Sequence, residues 1–67
     1  MAEIVANQVQ EQRSAQGSTQ QEVADAVGVS RQTVIAIEKG NYTPSVGLAL
    51  KLAKYFNSNV ETLFFYE

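Results

Sequence analysis

The stretch that most restricts this chain is Gly28-Val29-Ser30, a gap of three residues between two segments that each carry their own helix punctuation. Before the gap, Thr19 and Glu22 stand in the T-x-x-E spacing of a capping box, in which side chains and backbone N–H groups satisfy one another at a helix start. Val23, Ala24 and Val27 then fall on one helical face, and Gly28 suits the left-handed residue that closes a helix. After the gap, Ser30 is placed to cap a second helix ending at Gly40, with Val34 and Ile37 at i, i+3 facing inward. A connection this short sets its two helices at a steep angle, roughly 90–120°.

The rest of the chain is punctuated in the same way, by Gly17-Ser18, by the run from Gly40 to Pro44 and by Asn57 to Asn59. No segment between these marks alternates with period two over a strand's length, so the expectation is an all-α domain of five helices. Helix one is expected over about Glu3 to Gln16, with Val5, Val9 and Arg13 on its inward stripe. Helix four follows Pro44, is capped by Ser45 and packs through Ala49, Leu52, Ala53 and Phe56. Helix five is short, capped by Asn59 or Ser58, with Val60, Leu63 and Phe64 as its apolar side. Sixty-seven residues make a single domain over 1–67, near the lower limit at which one core stabilises itself. The chain has neither cysteine nor histidine, which excludes disulfides and thiolate or imidazole metal sites. Stability must then come from helix packing or from oligomerisation. No apolar run approaches the ~18 residues of a membrane span and no export signal is evident, so a cytoplasmic location without a membrane partner is expected. Nothing points to a cofactor or a small-molecule ligand.

Two helices joined by Gly28-Val29-Ser30 have the form of a helix-turn-helix, about residues 19–39, whose second helix enters the DNA major groove. With Val34, Ile37 and Glu38 turned inward, that helix leaves Arg31, Gln32, Ile35, Ala36 and Lys39 on its outer side. Arg31 can hold guanine O6 and N7 with two donors, and Gln32 can pair with adenine N6 and N7. Ile35 and Ala36 can touch only apolar groups, which in the groove means the thymine methyl. Gln20 and Gln21 lie in the first turn of helix two, where free N–H groups and the helix dipole favour a phosphate. Asn41, Tyr42 and Thr43, in the turn after the reading helix, together with Thr33 and Lys39, are the other candidate phosphate contacts. Each of these has a plainer role available: a solvated helix start for Arg31 and Gln32, and local turn chemistry for the loop. Arg13 and Glu38 both fall on inward stripes, and pairing with each other is the simplest way to bury two charges.

The run from Thr19 to Phe56, TQQEVADAVGVSRQTVIAIEKGNYTPSVGLALKLAKYF, resembles the Cro/phage-repressor (xenobiotic-response-element) class of helix-turn-helix proteins, and the likeness extends over essentially the whole chain. The resemblance implies a compact, five-helix, lambda-repressor-like DNA-binding domain, usually dimeric on operator DNA. It implies Gln20 as a phosphate contact, Arg31, Gln32 and Ala36 as groove-facing positions, and Arg13 with Glu38 as an internal ion pair. There are departures. Gln12 and Ser18 stand where such proteins usually place leucine, which thins the packing of helix one. Gln8, Gln10 and Gln16 stand where arginine or lysine is frequent, and Asn57, Ser58 and Asn59 replace a more apolar lead into helix five.

The formal net charge is −2, the wrong sign for generic attraction to DNA. Binding, however, depends on where charges sit. Arg31 and Lys39 flank the reading helix, whereas Glu3, Glu11, Glu61 and Glu67 are expected to face away from the groove. At the C-terminus, Leu63, Phe64, Phe65 and Tyr66 follow one another, more apolar surface than a short helix can turn inward. These four are the candidate interface of a two-fold homodimer reading half-sites about one helical turn apart. The alternative is that they fold back and close a monomer. The function expected is a sequence-specific transcriptional regulator, a repressor that occupies its operator. The competing reading is a protein-interaction module of the same fold, such as an antitoxin, an anti-repressor or a co-regulator. An enzyme is set aside, because general base and nucleophile duty would fall on carboxylates or hydroxyls with no shared pocket.

Overall fold

The computed structural model describes residues 4–67. Its elements are, in order, β1 (Val5–Asn7), α1 (Val9–Gln16), α2 (Gln20–Val27), α3 (Arg31–Glu38), α4 (Val46–Tyr55), α5 (Val60–Leu63) and β2 (Phe64–Tyr66). The five helices stand where the punctuation places them. Thr19 and Glu22 form the complete capping box of α2, with bonds of 3.0 Å to the Glu22 N–H and 2.8 Å from the Thr19 N–H. Ser30, Ser45 and Asn59 each accept from the N–H three residues on, capping α3, α4 and α5. Gly28 closes α2 at φ 77°, a conformation that costs most other residues a clash with their own Cβ. Asn57 takes the same left-handed role after α4, which Asn tolerates better than most.

The termini differ from the sequence expectation. Helix one does not start near Glu3, which lies outside the described residues; α1 begins at Val9, and Val5–Asn7 is a strand. Helix five ends at Leu63, and Phe64–Tyr66 is also a strand. The two pair antiparallel, with Val5 opposite Tyr66, Ala6 opposite Phe65 and Asn7 opposite Phe64. Two physical reasons account for this. A run of Phe, Phe and Tyr favours a pleated, half-buried surface over a helix, and Asn7 stops α1 by accepting the Val9 N–H through its own side chain. A three-residue strand facing a partner this far away in the chain shows no period-two signal, so pattern reading passes over it.

The core lies between the helices. Val23, Ala24 and Val27 of α2 meet Val34 and Ile37 of α3 and Leu52, Ala53 and Phe56 of α4, and α1 adds only Val9. The thin packing expected of α1 is therefore present, and polar links supplement it. Ser18 shares a 2.9 Å hydrogen bond with the Tyr55 hydroxyl, tying the α1–α2 turn to α4. Leu63 is completely buried in this core, and Phe64 packs against its edge. Among the described residues no helix is long and apolar enough to cross a membrane.

Because Leu63 is enclosed on all sides by its own chain, Leu63→Ala should destabilise the domain by about 3 kcal/mol, within the range for emptying a buried leucine site. Urea unfolding monitored by circular dichroism measures this directly, and the loss should be the same at low and high protein concentration.

Candidate nucleic-acid interface

The outer face of α3 follows from its inner one. Val34 and Ile37 are buried against α2 and α4, so the opposite stripe Gln32, Ile35, Ala36 and Lys39 points outward at i, i+3, i+4, i+7. Arg31 and Gln32 occupy the first turn and are exposed, as is Lys39 at the C-cap, while Ile35 and Ala36 are half-buried at the helix flank. Arg31, Gln32, Ile35 and Ala36 thus share one end and one side of α3, as a base-reading surface requires. Thr33 is half-buried, and its hydroxyl is 3.1 Å from that of the capping Ser30, which gives it a structural role at the helix start. Asn41, Tyr42 and Thr43 are exposed just beyond the helix, with the Asn41 N–H closing on the Ala36 carbonyl at 2.9 Å.

Arg13 and Glu38 are paired. The Arg13 Nε donates to Glu38 Oε2 at 2.6 Å and its Nη2 to Oε1 at 3.3 Å, a fork of two parallel bonds from α1 to α3. The Glu38 side chain is only 4% exposed. The Arg13 Nη1 donates in addition to the Ser18 carbonyl at 3.1 Å. The hydrogen bond to Glu38, reinforced by its charge, holds the Arg13 guanidinium above its ordinary pKa in spite of burial. The Arg13 guanidinium therefore stays charged at any pH at which the fold would be tested, and would lose its charge only as pH rises past its elevated value.

Gln20 joins this network. Its Nε2 donates to Glu38 Oε1 at 3.0 Å, so the first residue of α2 is fastened to the last residue of α3. The Gln21 amide donates to Asp25 at 2.9 Å along its own helix. Each amide nitrogen keeps a second hydrogen, and the first-turn backbone N–H groups of α2 have no intrahelical partner. Glu67, expected on a helix facing away, instead lines a surface depression together with Glu38 and Lys39 at the C-terminal end of α3.

The four C-terminal interface candidates divide. Leu63 and Phe64 turn inward, because the last turn of α5 is where the chain closes its own core, and Phe65 and Tyr66 remain exposed. Sequence reading missed two further exposed residues, Val46 and Leu50 of α4, which are 77% and 57% exposed. Their i, i+4 spacing was the available signal. Shallow depressions lined by Val5, Val46, Val60 and Phe64, by Leu50, Val60 and Glu61, and by Glu61, Phe64, Phe65 and Tyr66 run into one another through shared residues. Those at Val46, Phe64, Phe65 and Tyr66 make an apolar surface across α4, α5 and β2, and the depression at Leu50 adjoins it through a lining that also includes Lys54, Asn57, Ser58 and Asn59.

A capped helix pair with an outward stripe of this kind defines a helix-turn-helix DNA-binding domain. The Helix-turn-helix family model (HTH_3) matches residues 9–63, and the chain belongs to that family, of the Cro/C1, xenobiotic-response-element type, whose members are DNA-binding transcriptional regulators. It is 49% identical over 61 residues to an uncharacterized HTH-type transcriptional regulator of Methanocaldococcus jannaschii, spanning 91% of this chain and 92% of that one. It is 31% identical over 60 residues to the cryptic phage CTXphi transcriptional repressor RstR of Vibrio cholerae, covering 90% of this chain and 54% of the repressor. Among solved structures it superposes on the restriction-modification controller protein C.AhdI of Aeromonas hydrophila with a TM-score of 0.78 and 32% identity, over 85% of this chain and 86% of that one.

Removing Arg13 would strand a buried carboxylate with Gln20 as its remaining partner. Arg13→Ala is therefore expected to cost about 3 kcal/mol, the lower end for breaking a buried pair. Thermal unfolding against wild type at neutral pH checks it, with Arg13→Lys recovering only part, since an ammonium cannot supply the fork.

Proposed function

We propose that this chain is a sequence-specific regulator, acting as a repressor in the cytoplasm, that occupies a pseudo-palindromic operator as a homodimer with α3 in the major groove. The observation that carries the reading is the coincidence of Arg31, Gln32, Ile35 and Ala36 on the exposed side of a helix whose other side is sealed to α1, α2 and α4. Arg31 and Gln32 supply the two bidentate readers, and Ile35 with Ala36 supplies apolar contact to thymine. Gln20, Gln21, Lys39, Asn41, Tyr42 and Thr43 are the phosphate-side contacts, with Thr33 limited by its bond to the N-cap. The likeness to a phage repressor and to a controller protein supports the repressor reading.

The second copy docks on the apolar surface of Val46, Leu50, Phe65 and Tyr66. A domain that leaves this much apolar surface exposed on one side has a reason to self-associate, and two-fold symmetry lets one surface serve both partners. The formal net charge of −2 makes non-specific attraction weak. With about four to six phosphates neutralised by a dimer, at ~0.9 each, the salt slope of operator binding should be about −4 to −5.

Selection from a random duplex library at two salt concentrations tests this reading, and a two-fold symmetric motif is the expected result. Gln32→Ala should then relax the preference at one position of each half-site, by about 1–3 kcal/mol of lost discrimination, without changing the fold. Absence of any enriched motif at low salt would favour the interaction-module reading. Leu50→Glu should shift the protein toward monomer in sedimentation equilibrium and weaken operator binding, and should lower the unfolding midpoint only at protein concentrations where wild type is dimeric, because Leu50 is exposed in the lone domain.

A further inference from the structure

The interaction left unused by the reading above is made by Asn7. It lies in β1, opposite Phe64 of β2, and neither the core nor the groove-facing set includes it. Its side-chain Nδ2 donates to the Ile37 carbonyl at 2.8 Å, thirty residues away, in the last turn of α3. Its Oδ1 accepts the Val9 N–H at 3.1 Å, at the start of α1. Only one orientation of the amide makes both bonds, so the two contacts fix each other. The adjoining Gln8 N–H donates to the Leu63 carbonyl at 2.9 Å, which holds the strand against the end of α5. One side chain therefore joins the N-terminus of α1, the C-terminal turn of α3 and the terminal ribbon.

We propose that Asn7 is a positioning residue for the reading helix, setting the direction of α3 relative to the frame formed by α1 and the β1–β2 ribbon. This rests on α3 being the groove helix. The C-terminal end of α3 has three polar attachments, the Glu38 side chain to Arg13 and to Gln20 and the Ile37 carbonyl to Asn7. The two at Glu38 converge on one carboxylate and leave the helix some freedom to turn about it. The bond at the Ile37 carbonyl lies off that point and restricts the turn. A helix of eight residues is ~12 Å long, so a swing of about 5° displaces its far end by about 1 Å. Arg31 and Gln32 are at that far end, and 1 Å is the margin between a hydrogen bond and none. Phosphate contacts made by long, mobile side chains follow such a swing, while bidentate base contacts do not. Asn7 thus acts on specificity more than on affinity at large.

The test uses Asn7→Ser in the full chain. Serine keeps an oxygen able to cap α1, adds no charge and is too short to reach the Ile37 carbonyl. Ser45→Ala is the comparison, since it removes a cap bond to Leu48 on α4 and leaves the end of α3 untouched. At a temperature where all three proteins are folded, Asn7→Ser should bind the selected duplex about tenfold more weakly and a scrambled duplex equally well, with the salt slope unchanged, a loss in keeping with weakened base contacts. Ser45→Ala should leave the ratio of the two affinities alone. Equal weakening on both duplexes, or no change on either, overturns the proposal. A measurement without DNA runs beside it. The amides of Lys39, Gly40 and Asn41, which close the end of α3 onto the Ile35, Ile37 and Ala36 carbonyls, should exchange hydrogen faster in Asn7→Ser, and those of Gly28 and Val29 should not. If wild type selects no DNA motif, the regulator reading fails while the exchange experiment still decides the attachment; unchanged exchange at Lys39 to Asn41 overturns it.

Discussion

Everything that α3 can do depends on the bond network around Glu38. A carboxylate that is almost wholly enclosed at the end of α3 draws the Arg13 guanidinium from α1 and the Gln20 amide from α2 into one cluster. Hydrophobic contact presses helices together without directing them, since it varies little with small rotations. Forked, charge-assisted hydrogen bonds are directional, and here they define how α3 is held. A buried ion pair of this kind adds little net stability, because desolvation offsets much of the attraction. Its consequence is geometric: α1, α2 and α3 are fastened at one point behind the exposed side of α3.

Gln20 belongs to this cluster by one hydrogen of its amide, and the second hydrogen is not used there. The formal net charge of −2 governs long-range steering, whereas the local charge on the outer side of α3 is set by Arg31 and Lys39.

The terminal ribbon adds a second layer. It closes the chain end on itself, completes the core with Leu63 and Phe64, and leaves Phe65 and Tyr66 on a surface that includes Val46 and adjoins Leu50 of α4. A small domain without cysteine gains from the strand pair, which ties Val5–Asn7 to Phe64–Tyr66. Asn7 connects this ribbon to α3 through the Ile37 carbonyl.

What the sequence by itself determined was local. Caps at Thr19, Ser30, Ser45 and Asn59, the glycine at 28 and the apolar spacing of α2, α3 and α4 each act within a few residues, so the helices, the short turn and the outward stripe of α3 were legible there. The Arg13–Glu38 pair was legible too, since two charges on inward faces leave few solutions. Tertiary structure alone decided the rest. Whether Val5 to Asn7 continues a helix or becomes a strand depends on Phe64 to Tyr66 arriving beside it, and whether Leu63 is core or interface depends on where α5 docks. The same holds for Asn7: its bond to the Ile37 carbonyl crosses thirty residues, and no periodicity carries information over that distance.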